Sequence, residues 1–383
     1  MRIVTNAIPL LSPRTGVGQY VYNILKRLEI IDNINEYTYF YGYFSDKLID
    51  ETCNLVPSTH RLKKFLRSVP GLGCCLSGIK GRVAQLNISI KKLKEFDVYF
   101  EPNFIPISEI KARKKVVTIH DLSFRLHSHW FPTEENHLFN QQFDRELPKI
   151  DSFITVSNYV KQEMIENLCL EGKQISVVYN GYNESIFRIY EPKVIQQTLD
   201  KYGISGPYIL FVGTVEPRKN IVSLLKAYRE LQPQIIKDFK LVIAGGSGWL
   251  NDDVYNFVND EALRNSVIFT GYVTDLEIAH LMNGATVFVY PSFYEGFGLP
   301  PLEAMACGTP VIVSNTTSMK ELYQDVAYLI DPYDYITIAE GLKTVLNDNS
   351  LQEDLAEKGV RYAEIFSWEK SAIETLNVLQ SAI

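Results

Sequence analysis

Apolar runs and helical stripes alternate along the chain. Short continuous runs, among them Arg2 to Ile8, Val116 to Ile119, Ser152 to Val156, Ile175 to Tyr179, Tyr208 to Val212, Leu241 to Ala244, Val267 to Thr270, Val287 to Tyr290 and Pro310 to Ser314, read as buried parallel strands. A strand covered on both faces has no polar face to alternate with, so its sequence is apolar throughout. Tyr37 to Tyr43 and Asp97 to Phe100 read as further strands. Between the runs, apolar residues recur at helical spacing. Val17, Tyr20, Val21, Ile24, Leu25 and Leu28 mark one amphipathic helix; Phe131 to Leu147, Asn158 to Leu168 and Ile221 to Leu231 mark others. The chain from Tyr335 is helical, with Phe366, Ser367 and Trp368 opening a last helix. Strands alternating with helices of roughly 10 to 15 residues predict a doubly wound α/β architecture in each half.

The turn residues Asn180, Gly181, Tyr182 and Asn183 interrupt this alternation where the composition changes, and they predict a linker. The chain of 383 residues is long for one core. The division expected is 1–184, 185–365 and a terminal helix, 366–383. A hinge at the linker would let two halves close over a ligand and exclude water.

Composition narrows the class of protein. Five cysteines, Cys53, Cys74, Cys75, Cys169 and Cys307, are odd in number and irregularly placed, which predicts free thiols in a reducing compartment. The opening run is broken by Thr5, Asn6 and Pro9 and reads as a strand rather than a signal peptide, and no segment reaches the roughly 18 apolar residues of a spanning helix. The expectation is a cytoplasmic protein whose membrane contact, if any, is peripheral. Charge is uneven: residues 1 to 185 carry 23 Lys and Arg against 20 Asp and Glu, and 186 to 383 carry 15 against 25, so the halves stand at +3 and −10. Between Thr52 and Lys94 there are nine basic residues and no acidic one. There Arg61, Lys63, Lys64 and Arg67 alternate with Leu62, Phe65, Leu66 and Val69, a pattern suited to an anionic lipid surface; a solvated basic loop and a patch for an anionic acceptor are the other readings.

The densest chemistry lies between Thr286 and Glu321. A buried strand breaks at Pro291 and Ser292 into a loop carrying Gly296 and Gly298; Pro300 and Pro301 suit a first helical turn, and Gly308 with Pro310 closes the helix. A glycine-bearing turn that empties into a helix presents unpaired N–H groups and the positive end of a helix dipole, which favours an anion such as a diphosphate. Glu295 and Glu303 beside it offer acceptor oxygens for hydroxyls, so the pair suggests a phosphate between two polyols. Sugar nucleotides have that layout. Arg218 and Lys219 stand where another strand hands over to a helix and suit a charge clamp for a leaving diphosphate. His120 ends a buried strand and is placed at the crevice where open parallel sheets bind ligands. Gly16 and Gly18 form a strand-to-helix turn without the third glycine of a dinucleotide fingerprint. His127, His129 and His137 show no metal-ligand spacing, and neither a metal nor another cofactor is predicted.

The run EGFGLPPLE, with two glutamates eight positions apart, resembles the Glu-x7-Glu signature of the retaining glycosyltransferases of family 4. TGVGQYVYNIL, TIHDLSF, VVYNGYNESIF and VGTVEPRKNI are similar to further family motifs in the expected order, so the resemblance covers nearly the whole chain and is greatest to bacterial mannosyltransferases of O-antigen and surface polysaccharide synthesis. It implies the GT-B fold, two facing Rossmann-like domains with a C-terminal helix crossing back to the first, and transfer of a hexose, mannose from GDP-mannose first, to a hydroxyl of a lipid-linked glycan. By the same resemblance His120 and Glu295 hold the donor sugar, Glu303 the ribose, Gly16 and Gly18 line the cleft near the phosphates, and Gly271 and Tyr272 reach the base through backbone groups. Gly296, Phe297, Gly298 and Leu299 supply N–H groups to the diphosphate, with Arg218 and Lys219 in the place of a metal. Thr214 stands where many members have an arginine, so Arg218 serves alone. A UDP sugar or GDP-rhamnose as donor, a covalent role for Glu295, an epimerase or pyridoxal-dependent phosphorylase, and a non-catalytic glycan or nucleotide binder are the alternatives; no nucleic-acid partner is expected.

Overall fold

The computed structural model describes residues 1–11, 16–49, 96–259 and 261–383. The basic stretch expected at a membrane, residues 61–94, lies outside the described residues.

Among the described residues the strands form two sheets. The first contains β1 (Arg2–Asn6), β2 (Glu36–Phe40), β3 (Phe44–Ser45), β4 (Phe96–Glu101), β5 (Ala112–Ile119), β6 (Ser152–Thr155) and β7 (Gln174–Val177) in the order β3-β2-β1-β4-β5-β6-β7. All its pairings are parallel except β2 with β3. That exception departs from the single strand expected over Tyr37 to Tyr43: Gly42, at φ +87°, turns the chain back, and Phe44 and Ser45 pair antiparallel with Phe40 and Tyr39. The second sheet contains β8 (Tyr208–Val212), β9 (Lys240–Ala244), β10 (Val267–Gly271), β11 (Val287–Tyr290), β12 (Val311–Ser314) and β13 (Tyr328–Ile330), all parallel, in the order β10-β9-β8-β11-β12-β13.

Both sheets reverse their winding direction once, between β1 and β4 in the first and between β8 and β11 in the second. At such a point the loops leaving the two neighbouring strands run to opposite faces of the sheet and open a crevice at its carboxyl edge. The core strands earn their place by composition. Tyr208–Val212, Val287–Tyr290 and Val311–Ser314 are buried at every position, as both-face coverage by helices requires.

The two halves are tied together. The Gly16–Ile31 helix packs against the last helix, Trp368–Ser381, with Trp368 buried and its ring 6.1 Å from that of Tyr20. The linker joins this contact, since Tyr182 bridges to Ser367 and Ser371 Oγ donates to the Tyr179 carbonyl at 2.5 Å. On the other flank, the carboxylate of Glu321 accepts the first backbone N–H groups of the Asn158–Asn167 helix, from Asn158 at 3.0 Å and Tyr159 at 2.6 Å, and the hydroxyl of Tyr179 at 3.0 Å. A helix N-terminus in one half is thus closed by an anion from the other.

Candidate active site

The crevice of the second sheet is built from the loops after β8 and β11. The first loop ends in the turn Pro217–Lys219 and in Asn220, whose left-handed backbone (φ +59°) lets its side chain donate to the carbonyls of Pro291, at 3.0 Å, and Pro332, at 2.7 Å. The second loop is pinned from several sides. Phe293 N donates to Arg218 O at 3.0 Å, Ser314 Oγ to Ser292 O at 2.6 Å, Ser318 Oγ to Glu295 O at 2.7 Å and Tyr323 OH to Gly298 O at 2.8 Å. A loop held this way places its side chains by scaffold rather than by chance.

What the scaffold places is an ion cluster. Arg218 meets Glu295 at 2.8 Å and Glu216 at 2.8 Å, and Lys219 meets Glu295 at 2.6 Å and the Tyr290 hydroxyl at 2.5 Å. Glu295 is 6% exposed and Lys219 7%. Burial works to raise the Glu295 carboxyl, and Arg218 and Lys219 overcome it and hold the group down to about 2. Burial and the neighbouring Arg218 push Lys219 below the usual lysine range, against the pull of Glu295. Burial likewise opposes the charge of Arg218, but Glu295 and then Glu216 more than restore it. Each cation keeps hydrogen-bonding capacity: a guanidinium has five N–H donors and an ammonium three, and the contacts named leave some of each unused. The expectation that Arg218 and Lys219 face a diphosphate is thereby refined, because both already hold Glu295.

Across the crevice stands the end of β5. His120 is half-buried; its Nε2 lies 2.8 Å from the Pro102 carbonyl, and its ring meets those of Tyr20 and Phe104 edge to face. Burial lowers its pKa, so the imidazole is neutral at pH 7. The two halves touch here. A Cβ on Gly296 would lie 1.8 Å from the His120 carbonyl oxygen, so only glycine lets the loops come this close. Ser157 Oγ donates to Gly296 O at 2.7 Å, and Tyr294 links both halves by accepting Leu122 N at 3.1 Å and donating to Glu163.

The glycine loop runs into the Leu299–Ala306 helix, with Pro300 and Pro301 inside its first turn as their fixed φ predicts. Its N-cap is Gly298, at φ +83°, which contributes no capping side chain; Pro300 and Pro301 carry no N–H, so the donors at this start are those of Leu299 and of the loop just before it. Phe297 turns inward, onto Tyr179 and Phe366, and can serve a ligand only through its backbone. Glu303, on the same helix, is half-buried; burial, then the nearby Asp275, raises its carboxyl to about 8. Gly16 and Gly18 lie in the first turn of the Gly16–Ile31 helix rather than in a turn before it, and Gln19 beside them donates to Asp275 at 2.7 Å, which brings this helix start to the Glu303 side of the cleft. Gly271 and Tyr272 stand apart, at the end of β10 two strands from β8; Tyr272 is exposed and the Gly271 carbonyl accepts Gly245 N at 3.0 Å. His127 and His129 pack with Trp130, and His137 pairs with Gln141, so the three histidines do not converge. Among the described residues no group of three or more His, Cys, Asp or Glu is arranged to hold a metal ion.

Sequence reasoning passed over Glu101, Asp275, Tyr294 and Glu321. An acid closing an apolar strand is the same signal that singled out His120, and it marks Glu101 after Phe96 to Phe100. The other three gain meaning only from partners far along the chain.

Comparison with known proteins accords with this geometry. The family described as Glycosyltransferase Family 4 matches residues 14–185, and that described as Glycosyl transferases group 1 matches residues 196–361. The O-antigen chain mannosyltransferase B of Escherichia coli is 32% identical over 382 residues, covering 98% of this chain and 99% of its own. Sucrose-phosphate synthase from Thermosynechococcus elongatus superposes on 100% of this chain and 98% of its own with a TM-score of 0.73 at 18% identity. Anabaena HepE, solved in complex with UDP-glucose, superposes on 100% of both chains with a TM-score of 0.69 at 17% identity.

Proposed function

Since the chain belongs to family 4 of the glycosyltransferases and has the GT-B fold, we propose that it moves mannose from GDP-mannose to a hydroxyl of a growing, lipid-linked surface glycan with retention at the anomeric carbon. The observation that carries this reading is the Arg218–Lys219–Glu295 cluster at the reversal point of the second sheet, opposite His120. Arg218 and Lys219 are balanced by Glu295 and Glu216, so the departing diphosphate is met by the N–H donors these cations keep unused rather than by net charge, joined by the N–H of Leu299 at the uncapped start of the Leu299–Ala306 helix. In this scheme the cations take the part of a metal. Glu303 holds the ribose diol, and Glu295 and His120 hold the sugar.

Glu295 suits electrostatic work better than covalent attack. A carboxylate with both oxygens engaged by cations, and held ionised far below neutral pH, is a weak nucleophile, so front-face departure with the leaving phosphate as base is the mechanism favoured. A glycosyl adduct on Glu295 found by mass spectrometry would reverse that choice.

The mannosyl donor and the O-antigen setting rest on the likeness to the Escherichia coli mannosyltransferase. No helix among the described residues is long and apolar enough to cross a membrane, and the reading adds peripheral contact on the cytoplasmic face through the basic residues 61–94. The test is a thermal-shift panel of GDP, UDP and ADP followed by turnover of the matching sugars. A nucleotide at 100 times its dissociation constant adds about 2.7 kcal/mol. Stabilisation by GDP and turnover of GDP-mannose, lost in Lys219→Ala, is expected; stabilisation by UDP alone would move the donor to the UDP sugars.

A further inference from the structure

The reversal point of the first sheet carries a buried carboxyl of its own, and none of the roles above uses it. Glu101 ends β4 and is fully buried. Asn6, which ends the neighbouring β1, turns its amide nitrogen to both carboxyl oxygens, at 3.1 and 3.0 Å. The Tyr99 hydroxyl donates at 2.6 Å and the backbone N–H of Asn103 at 3.0 Å. These partners themselves grip the two loops that diverge here. Asn6 Oδ1 accepts Ile8 N at 3.1 Å after β1, and the Tyr99 oxygen accepts Ile107 N at 3.0 Å after β4. One carboxyl therefore gathers both walls of the crevice.

The peptide between Pro102 and Asn103 is the link to the chemistry. Its N–H is held by Glu101, and its carbonyl lies 2.8 Å from His120 Nε2. A carbonyl can only accept, so His120 must carry its proton on Nε2. Nδ1 is then the acceptor nitrogen, and it has no protein partner among the described residues. A sugar hydroxyl could donate to it. If the Pro102 carbonyl moved, nothing else named here would select that tautomer.

We propose that Glu101 is a positioning residue for the transfer: by fixing the Pro102–Asn103 peptide it holds His120 as the Nε2–H tautomer, with Nδ1 ready to accept a hydroxyl of the donor sugar. The consequence for turnover rests on the function proposed above; the tautomer does not.

Two readouts separate them. In the full chain labelled with 15N-histidine, with the His120 signals identified by their loss in His120→Gln, the wild type should show a protonated Nε2 and an unprotonated Nδ1. Glu101→Gln sets an amide N–H2 against the donors of Asn6 or Tyr99, and Tyr99→Phe removes one donor with little change in shape. Both should mix the tautomers. With GDP-mannose as probe, both should lower kcat about tenfold to a hundredfold, the scale expected when a supporting shell loosens, with donor KM within about twofold. If Glu101→Gln does not fold, Tyr99→Phe carries the test. A wild-type tautomer and a wild-type kcat in a folded variant overturn the proposal, as does a wild-type His120 protonated on Nδ1. Absence of GDP-mannose turnover in the wild type, with the tautomer as stated, would instead count against the functional reading and leave the positioning role to the spectra.

Discussion

Each sheet places a buried glutamate where its winding reverses, and the two glutamates live under opposite electrostatics. Glu101 is surrounded by neutral donors from Asn6, Tyr99 and Asn103; burial raises it to about 8, and those donors pull only partly against the rise. Glu295 sits between Arg218 and Lys219, which hold it down to about 2. The same side chain at the same kind of place is thus scaffold in one half and fixed charge in the other. Its neighbours decide which. A ring of neutral donors orders loops without placing charge there, whereas Arg218 and Lys219, held in place by Glu295 and Glu216, keep charged N–H donors that a diphosphate can use.

The difference predicts how each site breaks. Glu295→Ala should have the largest effect, because it leaves two buried cations with Glu216 as the remaining carboxylate: roughly 3–5 kcal/mol in urea unfolding, together with loss of turnover by about 10²-fold or more. Glu101→Gln leaves no unmatched charge and should cost about 1–3 kcal/mol in the same measurement. Equal costs at the two positions would mean that the cations do not distinguish them.

Acidity separates them in the opposite direction. A carboxyl raised in the folded state makes stability fall as pH climbs from its ordinary 4.5, levelling off above about 8, and Glu101 and Glu303 both behave so. A depressed carboxyl contributes fully above about 4.5 and is lost as pH drops toward about 2, which is the case of Glu295. Thermal melts from pH 4.5 to 8 should therefore decline in the wild type and flatten in Glu101→Gln/Glu303→Gln. An unchanged slope in the double variant would contradict the assigned environments.

The smallest effect expected is at the latch between the halves. Glu321→Gln keeps the shape but weakens the anion at the start of the Asn158–Asn167 helix, a change on the scale of a helix-dipole interaction. Donor KM should rise about two- to fivefold with kcat nearly kept. A fall in kcat at constant KM would place Glu321 in the chemistry instead.

Much of this was legible along the chain. Tyr208–Val212 and Val287–Tyr290 have the bounds the apolar runs predict, because a strand buried on both faces leaves no ambiguity of period. The short antiparallel return after Phe40 was not legible, since Tyr37 to Tyr43 keeps its β-rich composition through the turn. In the site, Arg218, Lys219, Glu295 and His120 each announced themselves by standing at a strand end. Their pairing did not: the Lys219–Glu295 contact spans 76 positions, Asn6 to Glu101 spans 95 and Asn158 to Glu321 spans 163. Local pattern names the residues that reach the carboxyl edge of a sheet, and only the folded topology shows which of them neutralise one another.

A crystal structure of the chain with GDP tests the central claim most directly. The account predicts the diphosphate against the free N–H groups of Arg218 and Lys219 at the start of the Leu299–Ala306 helix, with the ribose hydroxyls on Glu303. A nucleotide bound elsewhere, with that helix start empty and Glu303 untouched, would contradict it.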